Sequence, residues 1–461
     1  MFASMFSFKM RAEITACLSL AVPLAAAQLT QSATGFVDTA MMGMLGSQTI
    51  AAGGLGATVF TGLLLVMSAI VSAVSPLTAE AFGAGDHTMA RRVVRQALLL
   101  ALILGLPISL LIWNGSALLT ALGQDPANVD LGKAYLQAVA FGFLPGMLFA
   151  ALRNFVAALS QPRPVMIIMI GGTLFNILGN YVLMFGKFGF SAYGLMGIGM
   201  ASALSFWGML LALCIYILRH PQLRQYQVFG NIFQLDWHVF KEMLRVGLPI
   251  GVLAGVEVGL FVVTTFLMGM LGTITLAAHQ IALQTAAITF TVPLGVSYAT
   301  TVRVGQLIGQ KRYDTARLAG YIGISMGCLF MGAMAIVFWV MPETIVSLYL
   351  DVQNPENRPV VELAKKLLAV AAMFQVVDGI QVTATGALRG LRDTRIPMLI
   401  GLMAYWGIGL TSGYVLGLRL GFGGVGLWWG LAIGLAVAAV VLTWRFGVAR
   451  IRSGLGAGSL A

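Results

Sequence analysis

Apolar runs long enough to cross a bilayer recur from one end of this chain to the other, and they leave it few possible folds. Hydropathy places them near residues 14–40, 50–80, 93–113, 134–158, 164–186, 193–218, 246–270, 275–302, 318–340, 363–387, 396–417 and 425–446. Spanning the hydrocarbon core as a helix takes roughly 20 residues. Only a helix or a closed barrel satisfies its backbone there, and runs this long fit the helix. The expected fold is an all-α membrane protein with twelve transmembrane helices. Composition agrees, with 59% hydrophobic and 9% charged residues against about 25% charged in a soluble domain. The 56 glycines suit membrane helices whose backbones pack closely.

A net charge of +11 raises the question of nucleic acid. The basic residues sit in short loops rather than one patch, so no nucleic-acid partner is expected, only membrane lipid. With the N-terminus inside, the inner segments hold Lys9, Arg11, Arg91, Arg92, Arg95, Arg153, Arg163, Arg219, Arg224, Lys241, Arg245, Arg303, Lys311, Arg312, Arg317, Arg389, Arg392, Arg395, Arg445, Arg450 and Arg452. The outer segments hold Lys133, Lys187, Arg358, Lys365, Lys366 and Arg419. That asymmetry puts both termini in the cytoplasm. Lys9, Arg11 and Ala25-Ala26-Ala27 resemble a cleavable signal. The apolar run continues past them, however, and residues 23–46 recur later, so the segment is expected to be retained. Cys17, Cys214 and Cys328 lie inside apolar runs, with no disulfide framework or metal-ligand spacing.

The recurrence is an internal repeat. Met42-Gly-Met-Leu-Gly-Ser47 returns as Met268-Gly-Met-Leu-Gly-Thr273, 226 positions on. At the same shift Pro23 meets Pro249, Ala51-Ala52 meets Ala277-Ala278, Gly83 meets Gly309, and Ala90-Arg91 meets Ala316-Arg317. Tyr181-Val-Leu pairs with Tyr414-Val-Leu at a shift of 233. Six spans per copy is an even number, so the halves share one orientation and form two pseudo-twofold-related six-helix lobes. Parallel repeats of this kind are a transporter plan. The lobes are expected at 1–220 and 242–461, with a cytoplasmic linker at 221–241. Duplication that serves packing alone is the alternative.

An ionisable side chain in the membrane costs at least ~2.5 kcal/mol and is a functional candidate. Asp38, Glu257 and Asp378 qualify. Glu257 follows the cytoplasmic Arg245 by roughly 18 Å of helix, and Asp378 precedes Arg389 by roughly 16 Å. Both fall near the midplane, where a proton, a metal cation or a cationic substrate would discharge them. A hydrogen-bonded carboxyl that pins helices is the alternative for each. Under the repeat Asp38 aligns with Thr264, and Glu257 with Gln31. Asn176 and Asn180 lie one turn apart on one face, and their amide oxygens suit Na⁺ beside a carboxylate. Interhelical hydrogen bonding is the alternative reading. Glu80 is expected to partner Arg91 and Arg92, His279 and Gln280 to hydrogen-bond, and Arg153 and Arg389 to lie near the cytoplasmic surface. There is no phosphate-binding Gly-x-x-x-x-Gly-Lys-Ser/Thr loop and no His-Glu-x-x-His. No enzyme, ATP use or cofactor is therefore expected beyond a coupling ion, Na⁺ or H⁺.

Asp38-Thr-Ala-Met-Met-Gly with Gly46 and Ala51-Ala52 resembles the first signature of the multidrug and toxic compound extrusion (MATE) family. Ala277-Ala278-His279-Gln280-Ile281-Ala282, Pro293-Leu-Gly295, Ala299-Thr-Thr-Val-Arg303-Val-Gly305 and Gly386-Ala-Leu-Arg389-Gly390 resemble later signatures of its bacterial NorM-like branch. The resemblance implies two six-helix lobes in the bacterial cytoplasmic membrane, as a monomer exporting amphipathic organic cations against Na⁺ or H⁺ by alternating access. It implies an N-lobe cation site at Asp38, Asn176, Asn180, Ser202 and Tyr135. Some relatives carry Asp where Asn180 stands, so this site has one carboxylate fewer. It implies C-lobe cation and substrate acids at Glu257 and Asp378, a further acid at Asp351 and an aromatic contact at Tyr298. Gln31 is the remaining substrate-site candidate. A lipid or lipid-linked saccharide flippase is the alternative, though it calls for a cationic cavity where the candidate charges here are acidic.

Overall fold

In the computed structural model, residues 2–121 and 126–449 are described, and they are helical with no strand among them. Arg450 and Arg452, counted above among the inner basic residues, lie outside that range. The first half runs α1 Phe2–Met44, α2 Ser47–Val71, α3 His87–Trp113, α4 Pro126–Ala158, α5 Pro162–Phe185 and α6 Leu195–Arg219. The second runs α7 Trp237–Met270, α8 Thr273–Gly309, α9 Tyr313–Val340, α10 Arg358–Gly390, α11 Arg395–Arg419 and α12 Gly423–Val448. A short helix, Val74–Gly83, extends α2 toward α3. All twelve expected spans fall on these helices. Eleven spans are apolar enough to cross a membrane on length and composition. The remaining helix, α10, carries the charged Arg358, Glu362, Lys365, Lys366, Asp378 and Arg389 in its 33 residues, and its apolar side chains are packed into the core of the second half.

The repeat is written into the backbone as well as the letters. Gly46 and Gly272 begin α2 and α8 with φ of 113° and 112°, a conformation open to glycine and costly to residues with a Cβ. The last glycine of Met-Gly-Met-Leu-Gly thus takes the same backbone conformation in both copies. Helices α4 and α10 have the same length, 33 residues, at a shift of 232. Each ends in the same turn, with Ser160 (φ 63°) matching Arg392 (φ 59°). The amide of Gln161 bonds Val156 O as that of Asp393 bonds Leu388 O.

The compact units do not follow the sequence halves. One holds the start of α1 up to Ala25 with the chain from Val252 onward, and the other is Ala26–Gly251. The division falls two residues after Pro23 and Pro249, the prolines inside α1 and α7, where the ring removes a backbone hydrogen bond. Side chains fix the exchange. Glu13 pairs with Arg303 on α8, Cys17 packs with Val304, Leu307 and Ile308, and Gly295 lies against the Ala25 backbone with no room for a Cβ. In the other unit Gly247 and Gly251 of α7 lie as closely against Ile70. The segment expected as the cytoplasmic linker, 221–241, packs in that unit. Arg95 donates to Gln227 O at 2.8 Å, Gln96 to Gln234 O at 2.8 Å, and Arg92 pairs with Asp236. Tyr226 bonds His87 Nδ1 at 3.0 Å, and burial pushes its phenol pKa up.

Candidate cation sites

In the Ala26–Gly251 unit, three helices bring four side chains together. Proline at the start of α5 and a left-handed Gly186 after its end hold its bounds, so Asn176 and Asn180 share its inner face. Asp38 Oδ1 accepts from Asn180 Nδ2 at 2.6 Å and Oδ2 from Ser202 Oγ at 3.1 Å. Asn176 Nδ2 donates to Ser202 Oγ at 3.1 Å, and Asn180 Nδ2 also reaches Asn176 Oδ1 at 3.2 Å. Tyr135 is buried and in electrostatic contact with Asp38. The group thus collects five oxygens, from one carboxylate, two amides and a hydroxyl. Asn180 Oδ1 is buried without a partner. Hard oxygen donors of this kind suit Na⁺ better than a softer metal.

The second half has no copy of this group. At the 233 shift Asn176 and Asn180 become Gly409 and Gly413. There α11 lies directly on α12: a Cβ on Gly430 would strike the Gly413 backbone, and one on Gly434 would stand 2.7 Å from Gly409 Cα. Backbone contact fills the space that amides occupy in the first half. Thr264, opposite Asp38 in the repeat, is fully buried.

The second half builds its own group. Glu257 on α7 lies within range to act electrostatically on Asp378 on α10. Asp378 is 5% exposed, and its Oδ1 has no hydrogen-bond partner. Tyr405 lies within electrostatic range of both acids and is buried with its hydroxyl unpartnered. It lies in Met403–Leu410, a π-helical stretch of α11, and π turns within helices are frequent at functional sites. Gln375, one turn before Asp378, accepts from Thr289 at 3.0 Å and leaves its Nε2 unpartnered. Buried polar atoms without partners are few in proteins, and each calls for an explanation.

The other candidates are placed as follows. Tyr298 is half-buried on α8, in electrostatic contact with Arg389. Gln31 is exposed and accepts from Arg153 at 3.3 Å. Asp351 is exposed in the loop before α10, where its carboxylate caps Gln353 N at 2.9 Å. No contact joins it to Glu257 or Asp378 among the described residues. His279 is fully buried, with Trp428 donating to its Nδ1 at 3.2 Å and its Nε2 against Thr265 Oγ1 at 3.0 Å. Both ring nitrogens are occupied, as a hydrogen-bonding role requires. Arg389, expected near the cytoplasmic surface, lies near the end of α10 with its Nε buried and without a hydrogen-bond partner, within range of the charge of Glu257. Tyr405 and Glu13 were not among the sequence candidates.

Comparison with known proteins adds to this geometry. A family model described as MatE matches residues 23–182 and 249–415. The two matches are offset by 226 at their starts and 233 at their ends, the same shifts the repeat shows. A Synechocystis protein described as a probable multidrug resistance protein NorM is 45% identical over 96% of this chain and 96% of its own length. A Pseudomonas aeruginosa protein of the same description is 44% identical over 94% of this chain and 89% of its own. Among solved structures, the outward-facing conformation of a multidrug resistance MATE family transporter of the MOP superfamily matches with a TM-score of 0.86. It is 19% identical and covers 94% of this chain and 95% of that one.

Proposed function

The chain belongs to the MatE family of multi-pass membrane transporters, and from that premise we propose that it exports amphipathic organic cations in exchange for Na⁺ or H⁺. It would do so by alternating access, in the cytoplasmic membrane of a bacterium with both termini inside. The chain would act without ATP or a cofactor. Its full-length relatives described as multidrug resistance proteins support the efflux role.

The observation that carries the exchange reading is that Asp378 is buried with its Oδ1 unpartnered and lies within range of the charge of Glu257. Two neighbouring carboxylates in a low-dielectric site are tolerated only when a proton or cation compensates them. The coupling ion and the drug both meet that need, so each weakens the other's binding. That reciprocal weakening is what antiport requires. The aromatic ring of Tyr298 adds a face for an organic cation. The Asp38 group supplies a second, more closely hydrogen-bonded position suited to Na⁺. The acidic character of both groups favours cations over the anionic headgroups that a flippase would hold. Asp378→Asn tests the reading: an expressing cell should lose drug resistance while membrane levels of the protein stay unchanged. Full resistance in that variant removes Asp378 from the mechanism.

A further inference from the structure

We propose that Trp406 is the positioning residue of Glu257, holding in place, through the main chain of α7, the stretch that carries this acid. The inference rests on the exchange reading above and adds to it a residue that sets how tightly the site binds its drug.

The contact is direct. Trp406 Nε1 donates to Val256 O, the carbonyl just before Glu257, at 3.0 Å. A helix carbonyl has a second lone pair to accept this bond beside its intrahelical one. The indole ring covers Gly259, two residues after Glu257, where a Cβ would stand 3.1 Å from Trp406 Cζ2. One turn before Glu257, Leu253 fills the notch left by Gly401, so closely that a Cβ there would stand 2.3 Å from Leu253 Cδ1. Helix α11 thus grips α7 on both sides of the acid. Trp406 follows the buried Tyr405 in the π-helical stretch, so one irregular segment of α11 places both aromatics. The depth of the tryptophan also calls for a reason. It lies 11 residues after Arg395 and 13 before Arg419, at the middle of α11, whereas membrane tryptophans favour the interfaces. An indole N–H at that depth needs a protein partner, and Val256 O supplies it.

The other unit carries the same device in different chemistry. At the shift of 226 Val256 is matched by Thr30 and Glu257 by Gln31, and at the shift of 233 Trp406 is matched by Thr173. Thr173 Oγ1 donates to Thr30 O at 3.4 Å and lies 2.6 Å from Thr34 Oγ1. In both halves, then, a side chain of the fifth helix binds the main-chain carbonyl of the residue just before position 31 or 257 of the first. Two unlike donors, a hydroxyl and an indole, at matching places make this contact a feature of the scaffold and not an accident of one side chain. Only in the second half does the held position carry an acid, so only there does the clamp fix where a charge stands. Site side chains bind tightly when supporting hydrogen bonds hold them to within a fraction of an ångström.

A double-mutant cycle on ethidium affinity tests this. Binding to purified full-length protein in detergent is followed by fluorescence for wild type, Trp406→Phe, Glu257→Gln and the double variant, with ethidium titrated far enough to read about a hundredfold loss. Phenylalanine keeps a ring over Gly259 and removes the N–H. Glu257→Gln should weaken binding. Trp406→Phe should weaken it about fivefold, the effect of ~1 kcal/mol. In the Glu257→Gln background the same replacement should change affinity by less than about twofold, because no charge remains there to misplace. A general packing defect would instead weaken both backgrounds alike. An equal loss in both, or no loss in the wild type, overturns the proposal. If Trp406→Phe does not fold, Gly259→Ala decides, since its Cβ presses on the indole from the α7 side. It should give a loss with the same dependence on Glu257, and a loss independent of Glu257, or none, overturns the proposal. If Glu257→Gln leaves ethidium binding unchanged, Glu257 has no part in exchange and the proposal falls with that reading, a different result from a Trp406 effect that survives the loss of Glu257.

Discussion

Replacing Glu13 by Gln removes a charge at the point where the start of α1 is tied to α8. The Glu13 residue is 4% exposed. Its two oxygens accept from Arg303 Nε and Nη2, both at 2.8 Å, a bidentate geometry that amide chemistry cannot reproduce. Glutamine keeps the volume but offers one acceptor and turns an N–H₂ toward the guanidinium. Arg303, 19% exposed, then keeps a charge with little water to solvate it. Breaking a buried pair from one side costs about 3–5 kcal/mol, and the partial exposure of Arg303 places the expected loss at the lower end, ~3 kcal/mol. Removing both charges restores a matched interior and should be nearly neutral. Thermal unfolding of purified protein in one detergent, on Glu13→Gln, Arg303→Met and the double variant, forms a double-mutant cycle. Each single variant should be clearly destabilised, with the double close to wild type. Strict additivity would refute the reasoning, since it would mean that the two groups do not sense each other.

Asn180→Asp should place a second carboxylate against Asp38 and raise Na⁺ affinity in that unit by about tenfold or more, because two adjacent acids favour a bound cation; Na⁺-dependent thermal stabilisation reports it, and an unchanged midpoint counts against the site. Gly430→Ala should destabilise by at least the ~1–3 kcal/mol of ordinary overpacking, because its Cβ meets Gly413 backbone, whereas Gly332→Ala, which meets nothing within 4 Å, should be neutral or slightly stabilising. Equal melting temperatures for the two would contradict the backbone contact of α11 with α12. His279→Phe should lose about 1–3 kcal/mol by orphaning the Trp428 indole N–H, and His279→Gln less; the order of their unfolding temperatures checks it.

Much of the scaffold was legible in the letters because two physical signals reinforce each other. Apolar length sets the spans, and the constant shift of 226 sets their pairing, so even the left-handed glycines at 46 and 272 were marked. The Asp38 group was legible in part. Asn176 and Asn180 advertise a shared face by spacing, whereas only the family resemblance joined them to Asp38 and Ser202, because those contacts span 142 and 164 residues of sequence. Tyr405 was hidden for a geometric reason. A π-helical stretch breaks the 3.6-residue phase by which a helix face is read. Glu13 and Arg303 lie 290 residues apart, and no spacing in the sequence links them. The compact units were hidden too: the exchange of helix starts at Pro23 and Pro249 depends on which half each segment packs against, and hydropathy does not encode that.

The most direct test of the central claim is ethidium movement in proteoliposomes under separately imposed Na⁺ and H⁺ gradients, with wild type and Asp378→Asn side by side. The account predicts that at least one gradient drives ethidium uphill in the wild type and that Asp378→Asn abolishes this. Uphill movement with neither gradient, or an Asp378→Asn protein that transports as well as wild type, would contradict it.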